Sequence, residues 1–100
     1  MREIIQHLNQ VFENRIRLAI MSVLVINDSM DFNSLKQSLS LTDGNLASHI
    51  AMLEKNSYVT VSKKFVGKKP LTTYSATAAG KRAFSDHLDI LEQLIRKTQL

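Results

Sequence analysis

Cysteine is absent from the 100 residues of this chain, which excludes disulfides, thiolate metal or redox sites and a thiol nucleophile. Long apolar runs are missing as well. The longest, Leu18–Ile26, is nine residues with Ser22 inside it, far short of the roughly 20 that a membrane-spanning helix needs. The opening MREIIQHLNQ breaks any signal-type apolar segment with polar residues, so a soluble, cytoplasmic chain is expected. Gly67-Lys68 lacks the Gly-x4-Gly-Lys-Ser/Thr spacing of a phosphate-binding loop, and no serine stands in Gly-x-Ser-x-Gly. With no acid/base pair and no activated nucleophile to assemble, the chain is expected not to be an enzyme and to need no cofactor. Acids are lacking where it matters most: none occurs between Val59 and Leu71, where Lys63, Lys64, Lys68 and Lys69 crowd together. Local clustering of this kind seeks anions more than the total charge of +4 does.

What is present suits one domain over residues 1–100, with 44% hydrophobic residues for a modest core. Residues 3–12 put Ile4, Ile5, Leu8, Val11 and Phe12 on one side of a helical wheel, an apolar face that needs a core or a second subunit to cover it. Asn14 is placed to cap a dense apolar helix ending at Asn27-Asp28, with Met30-Asp31-Phe32 as a short edge strand beyond. Asn33 is expected to cap a helix over Ser34–Leu39. Ser40–Thr42 then leaves so little chain before the next helix that the pair over 33–55 must cross steeply, as a helix-turn-helix. That next helix, Asp43–Lys55 with Thr42 as its cap, carries Leu46, Ile50 and Leu53 at i, i+4 and i+7. Its other side holds Asn45, Ser48, His49 and Met52, short groups that suit a DNA major groove. Over 58–75 the period changes to two, giving a hairpin with a basic Val66–Pro70 tip. Thr77 is expected to cap a last helix running to about Lys97, whose stripe is Phe84, Leu88, Leu91 and Ile95.

A helix pair, a basic hairpin and a closing helix in this order describe an α+β, mostly α, winged helix-turn-helix. The chain resembles small winged-helix regulators related to the MarR and ArsR proteins. The likeness is carried by Asn14-Arg15-Ile16-Arg17, by Asp31-Phe32, and by Leu41-Thr42-Asp43-Gly44-Asn45-Leu46 with His49, Leu53 and Tyr58-Val59. It continues through Phe65-Val66-Gly67-Lys68-Lys69-Pro70 and Thr72-Thr73-Tyr74 to Thr77-Ala78-Ala79-Gly80. The resemblance implies duplex DNA as partner and a two-stranded basic wing over 58–75. Segments 1–12 and 81–100 are expected as dimerisation helices.

Within that frame Asn45, Ser48 and His49 are the candidates for reading base edges, since asparagine pairs bidentately with adenine and serine serves several bases. Thr42, Asp43 and Gly44 sit where phosphates or the groove floor would lie. Gly44 costs about 1 kcal/mol against alanine in a helix, and close approach to the DNA backbone, or simple tolerance, accounts for it. Asp43 repels phosphate, yet accepts from a cytosine amino group or favours the helix start. Lys63, Lys64, Lys68 and Lys69 are expected to bind phosphates or an adjacent minor groove; the alternative is protection of an exposed strand edge. Arg15 is left between a DNA-backbone contact and an ion pair with Glu13 or Asp28. Asp86-His87 with Asp89 has some ligand character, but it reads better as the wet face of a helix, and no metal is expected.

The apolar sets Ile4, Leu8, Val11, Phe12 and Phe84, Leu88, Leu91, Ile95 are expected to meet in a homodimer, the alternative being that one covers the other within a monomer. A two-fold dimer would offer its reading helices to major grooves about 10 bp apart, and repression by promoter occlusion follows most simply. With no separate sensor, a small-molecule effector would act at the dimer interface. A protein-interaction module with an acidic partner, and a sequence-blind architectural DNA binder, are the other functions compatible with the sequence.

Overall fold

The computed structural model describes residues 1–99 of the chain. Asn14 opens α2 (Arg15–Ile26) as expected, its side chain accepting from the backbone N–H groups of Ile16 and Arg17. Ile20, Met21 and Leu24 of α2 are wholly buried, so this is the central helix. Asn27 ends it, its side-chain amide donating to the Val23 carbonyl at 2.7 Å. Strand β1 (Met30–Asp31) follows at the sheet edge, pairing antiparallel with β3 (Lys69–Ala76); β3 in turn pairs with β2 (Val59–Val66), giving the order β1-β3-β2.

Helix α3 spans Phe32–Ser38, starting two residues and ending one residue earlier than the sequence suggests. Asp31, not Asn33, is its cap: the Asp31 carboxylate accepts from Ser34 N–H at 3.1 Å, three residues on, while its own backbone stays extended. Hydrogen bonds from Ser34, hydroxyl first and backbone second, hold the Asp31 carboxyl below the usual carboxylate range. Helix α4 spans Asp43–Lys55 and α5 spans Ala78–Thr98, with Thr42 and Thr77 capping as expected.

Two matching C-terminal locks set the direction of the chain. After α3, the N–H of Ser40 donates to Gln37 and that of Leu41 to Lys36; after α4, Ser57 donates to Glu54 and Tyr58 to Leu53. Each is a Schellman closure, with Ser40 (φ 53°) or Ser57 (φ 61°) in the left-handed position usually given to glycine. The first makes the steep turn between α3 and α4; the second sends the chain from α4 into the wing.

The N-terminal stretch departs from expectation. Instead of one helical face over 3–12 it forms α1 (Arg2–Ile5) and, after a break, a 3-10 turn at Gln10–Phe12. Asn9 makes the break: its side-chain carbonyl caps Val11 N–H, its amide donates to the Tyr58 hydroxyl at 2.9 Å, and its own N–H donates to His87 Nδ1 at 3.0 Å. Phe12 enters the core beside Tyr58, Phe84 and His87, each ring centroid 5.4 Å from its own. Phe12 and Phe84, expected on a dimer face, are therefore core residues of the single chain. His87, expected on a wet face with Asp86 and Asp89, is buried too, while its two acidic neighbours are exposed. Among the described residues no helix is long and apolar enough to cross a membrane.

Candidate nucleic-acid interface

Three aliphatic side chains fix α4. Leu46 and Leu53 are fully buried and Ile50 nearly so, each worth about 2 kcal/mol by area removed from water. With that face locked inward, the opposite face is turned out by helical geometry alone. Asn45 and Ser48 are exposed on it, and neither side chain makes a hydrogen bond within the described residues. Thr42 is exposed but engaged: its Oγ1 accepts from Asn45 N–H at 3.1 Å. Asp43 forms an ion pair with Lys36 of α3 at 2.8 Å, which ties the two helices and offsets its negative charge. The pair is largely solvated, so its energetic contribution is small.

His49 lies differently from Asn45 and Ser48. It is half-buried, its Nδ1 3.2 Å from the Arg17 guanidinium, and Arg17 Nε donates to the Val11 carbonyl at 2.6 Å. A guanidinium can only donate, so Nδ1 must accept and the ring proton belongs on Nε2. Arg17 thus orients one edge of His49 and leaves a donor on the other. The sequence shows the arginine but not this role, because the two residues meet only through the packing of α2 against α4.

Gly44 has nothing within 4 Å of the place a Cβ would occupy, so no contact among the described residues requires glycine there. Gly80 is the opposite case. A methyl group on it would collide with the backbone carbonyl of Tyr58, the same carbonyl that accepts from Thr77 N–H at 3.0 Å. Thr77 Oγ1 also donates to the Ser57 carbonyl at 2.7 Å, so the start of α5 is clamped directly onto the segment leaving α4.

The wing runs further than its sequence suggested. Only Gly67 and Lys68 lie between β2 and β3, with Gly67 at φ 65°, as a tight two-residue hairpin turn requires. Pro70 is paired opposite Phe65; β1 reaches only Thr73 and Tyr74, so at Pro70 the outer edge of β3 is open and needs no proline N–H. Lys63, Lys64, Lys68 and Lys69 are all exposed, and among the described residues none of them forms an ion pair. Arg15 is exposed at the start of α2 and likewise pairs with neither Glu13 nor Asp28 among the described residues. It borders a depression of about 360 Å³ with Ile16, Ala19, Leu39, Ser40 and Leu41.

An exposed polar helix face held by a helix-turn-helix, with an unpaired cationic hairpin beside it, defines a winged helix of the DNA-binding kind. Residues 16–95 match the family of the winged helix DNA-binding domain, and the chain belongs to that family. It is 30% identical over 90 residues to an uncharacterized protein of Methanocaldococcus jannaschii, covering 90% of this chain and 98% of that one. A transcriptional regulator homologue from Pyrococcus horikoshii OT3 superposes with a TM-score of 0.87 at 31% identity, over 99% of this chain and 96% of the other. The fold is shared more distantly with NadR, solved in complex with 4-hydroxyphenylacetate (TM-score 0.72, 20% identity, 97% of this chain and 68% of that one). The chain is a small winged-helix DNA-binding regulator, and its family and fold are those of transcriptional regulators, not of enzymes.

Proposed function

We propose that the protein is a homodimeric regulator that binds double-stranded DNA at particular sequences and represses by occupying a promoter. The observation that carries this reading is the outward face of α4. Asn45 and Ser48 stand free on a helix whose other face is fully spent on the core. Asn45, Ser48 and the Nε2 edge of His49 would contact bases. Thr42 and Gly44 would let the helix start close on a phosphate, and Asp43 would remain bound to Lys36. Lys63, Lys64, Lys68, Lys69 and Arg15 would bind the DNA backbone, giving affinity and register.

Dimerisation is supported by apolar surface that the single chain leaves open. Helix α1 lies on α5, and Ile4 and Leu8 are half-buried, yet Ile5, Leu88 and Ile95 stay 50%, 45% and 54% exposed, with Leu91 half-buried. Ile4, Leu8, Val11, Leu88, Leu91 and Ile95 would form the interface, without Phe12 and Phe84. A small-molecule effector, of the sort NadR holds, would act there by changing the spacing of the two reading helices.

Selection from a random duplex pool at physiological salt tests the whole reading. The expected product is a near-palindrome with half-sites about one helical turn apart. Retention without any enriched motif would mean an architectural binder, and no retention would mean a protein-interaction module.

A further inference from the structure

The chain has six aromatic residues, and five of them lie within or against the core. Phe65 does not: it is 73% exposed, near the tip of the wing, with Val66 beside it at 62%. Cross-strand partners in a sheet share a face. Val61 pairs with Tyr74, which faces the core, so the next pairs on that face are Lys63 with Thr72 and Phe65 with Pro70. Among the described residues the hairpin has no third strand beyond Thr73. Its last four pairs, Lys63 to Val66 against Thr72 to Lys69, therefore extend roughly 13 Å past that strand at about 3.3 Å per residue, with Asp31, Phe32 and Asn33 flanking only Pro70, Leu71 and Thr72 on β3. A phenylalanine paired with a proline thus stands exposed near the end of the hairpin, outside the core. Lysines surround it: Lys63 on its own face, Lys64 and Lys69 on the other, Lys68 in the turn.

From this geometry we infer that Phe65, backed by Pro70, is a wedge that enters the DNA minor groove beside the helix-reading site and partly unstacks one base step. The inference rests on the DNA-binding reading above. A second copy of the wing is a poor occupant, since eight lysines would be brought together. Duplex DNA satisfies both halves of the patch: phosphates line the groove edges for the lysines, and the stacked bases within it offer an apolar interior. Apolar side chains inserted in this way unstack a step at a cost of a few kcal/mol, least at flexible pyrimidine–purine steps. The wing would therefore add a sequence preference of its own. A TA or CA step would be favoured about half a helical turn outside each half-site, where the minor groove next faces the protein.

Parallel selections with the native protein and with Phe65→Ala, followed by affinity measurement on duplexes differing only at that flanking step, test the wedge. Because Phe65 is exposed, the variant is expected to keep its circular dichroism spectrum and melting temperature. The native protein is expected to enrich the flanking step and to bind TA-flanked over GG-flanked duplex about tenfold more tightly, the size of one mismatched position. Phe65→Ala is expected to retain the inner motif with lower affinity and a flank ratio near one, and Phe65→Leu an intermediate ratio. An inner motif with no flank preference in the native protein, or the same preference in Phe65→Ala, would overturn the wedge and leave the regulator reading intact. Enrichment of nothing by the native protein would overturn both.

Discussion

Two glycines show how differently one residue type can be used. At Gly80 any side chain drives into the Tyr58 carbonyl, which is backbone and cannot swing aside. Gly80→Ala is therefore expected to destabilise by about 3 kcal/mol, the upper part of the overpacking range, measured as a lowered denaturant midpoint. At Gly44 the space is open. Gly44→Ala is expected to raise stability by about 1 kcal/mol from helix propensity while weakening DNA binding; unchanged binding would show that Gly44 is merely tolerated. His87 is the third residue whose setting decides its chemistry. Burial lowers its pKa below the ordinary 6.5, opposed in part by the Glu13 carboxylate. Protonation would also replace the lone pair that accepts from Asn9 N–H. A depressed histidine pKa means the unfolded chain binds the proton more readily. Stability is then full above about pH 6.5 and falls as pH drops toward the lowered folded value. Melting curves from pH 7.5 to 5 should show that loss, and His87→Gln should flatten it.

At the scale of elements, what could be read from sequence was whatever local rules control. Thr42, Thr77 and Asn14 are short polar residues ahead of apolar periodicity, and each caps its helix. The α4 stripe and the alternation of β2 are similarly local, and both formed where expected. The shift of the α3 cap from Asn33 to Asp31 was not legible, because both residues cap well and pairing of β1 with β3 decided between them. The N-terminal break was hidden for a stronger reason: Asn9 is held by Tyr58 and His87, 49 and 78 residues away. The same applies to His49, whose orientation depends on an arginine 32 residues earlier. The two Schellman closures invite a direct test of local strain. Ser40→Gly and Ser57→Gly are each expected to stabilise by about 1 kcal/mol, since only glycine enters the left-handed region without penalty. A stability loss in thermal unfolding would show that the serine hydroxyl, not the backbone, matters there.

The whole molecule is elongated, 58 × 25 × 21 Å, and the contacts above connect its parts. The clamp of Thr77 and Gly80 on Ser57 and Tyr58 joins α5 to the end of α4, and Asn9 ties the N-terminal turn to both. Movement of α5 in a dimer would thus be passed to α4 through hydrogen bonds and close backbone packing. Leu88→Glu with Ile95→Glu is expected to leave the core intact, since both side chains are about half exposed. The double variant should sediment as a monomer and lose about a hundredfold in affinity for a two-fold site, the scale of lost avidity. Unchanged sedimentation would place the interface elsewhere.

The claim on which most depends is that α4 discriminates between sequences while the wing lysines supply attraction indifferent to sequence. Titrating native protein, Asn45→Ala and Lys69→Ala against a selected duplex and a scrambled one, over a range of salt concentrations, separates these roles. Asn45→Ala should cost about 1–3 kcal/mol of discrimination with the salt slope unchanged, and Lys69→Ala should weaken both duplexes alike and reduce the slope by about 1. If Asn45→Ala weakened both duplexes equally, or Lys69→Ala altered discrimination with no change of slope, the proposed division between helix and wing lysines would be contradicted.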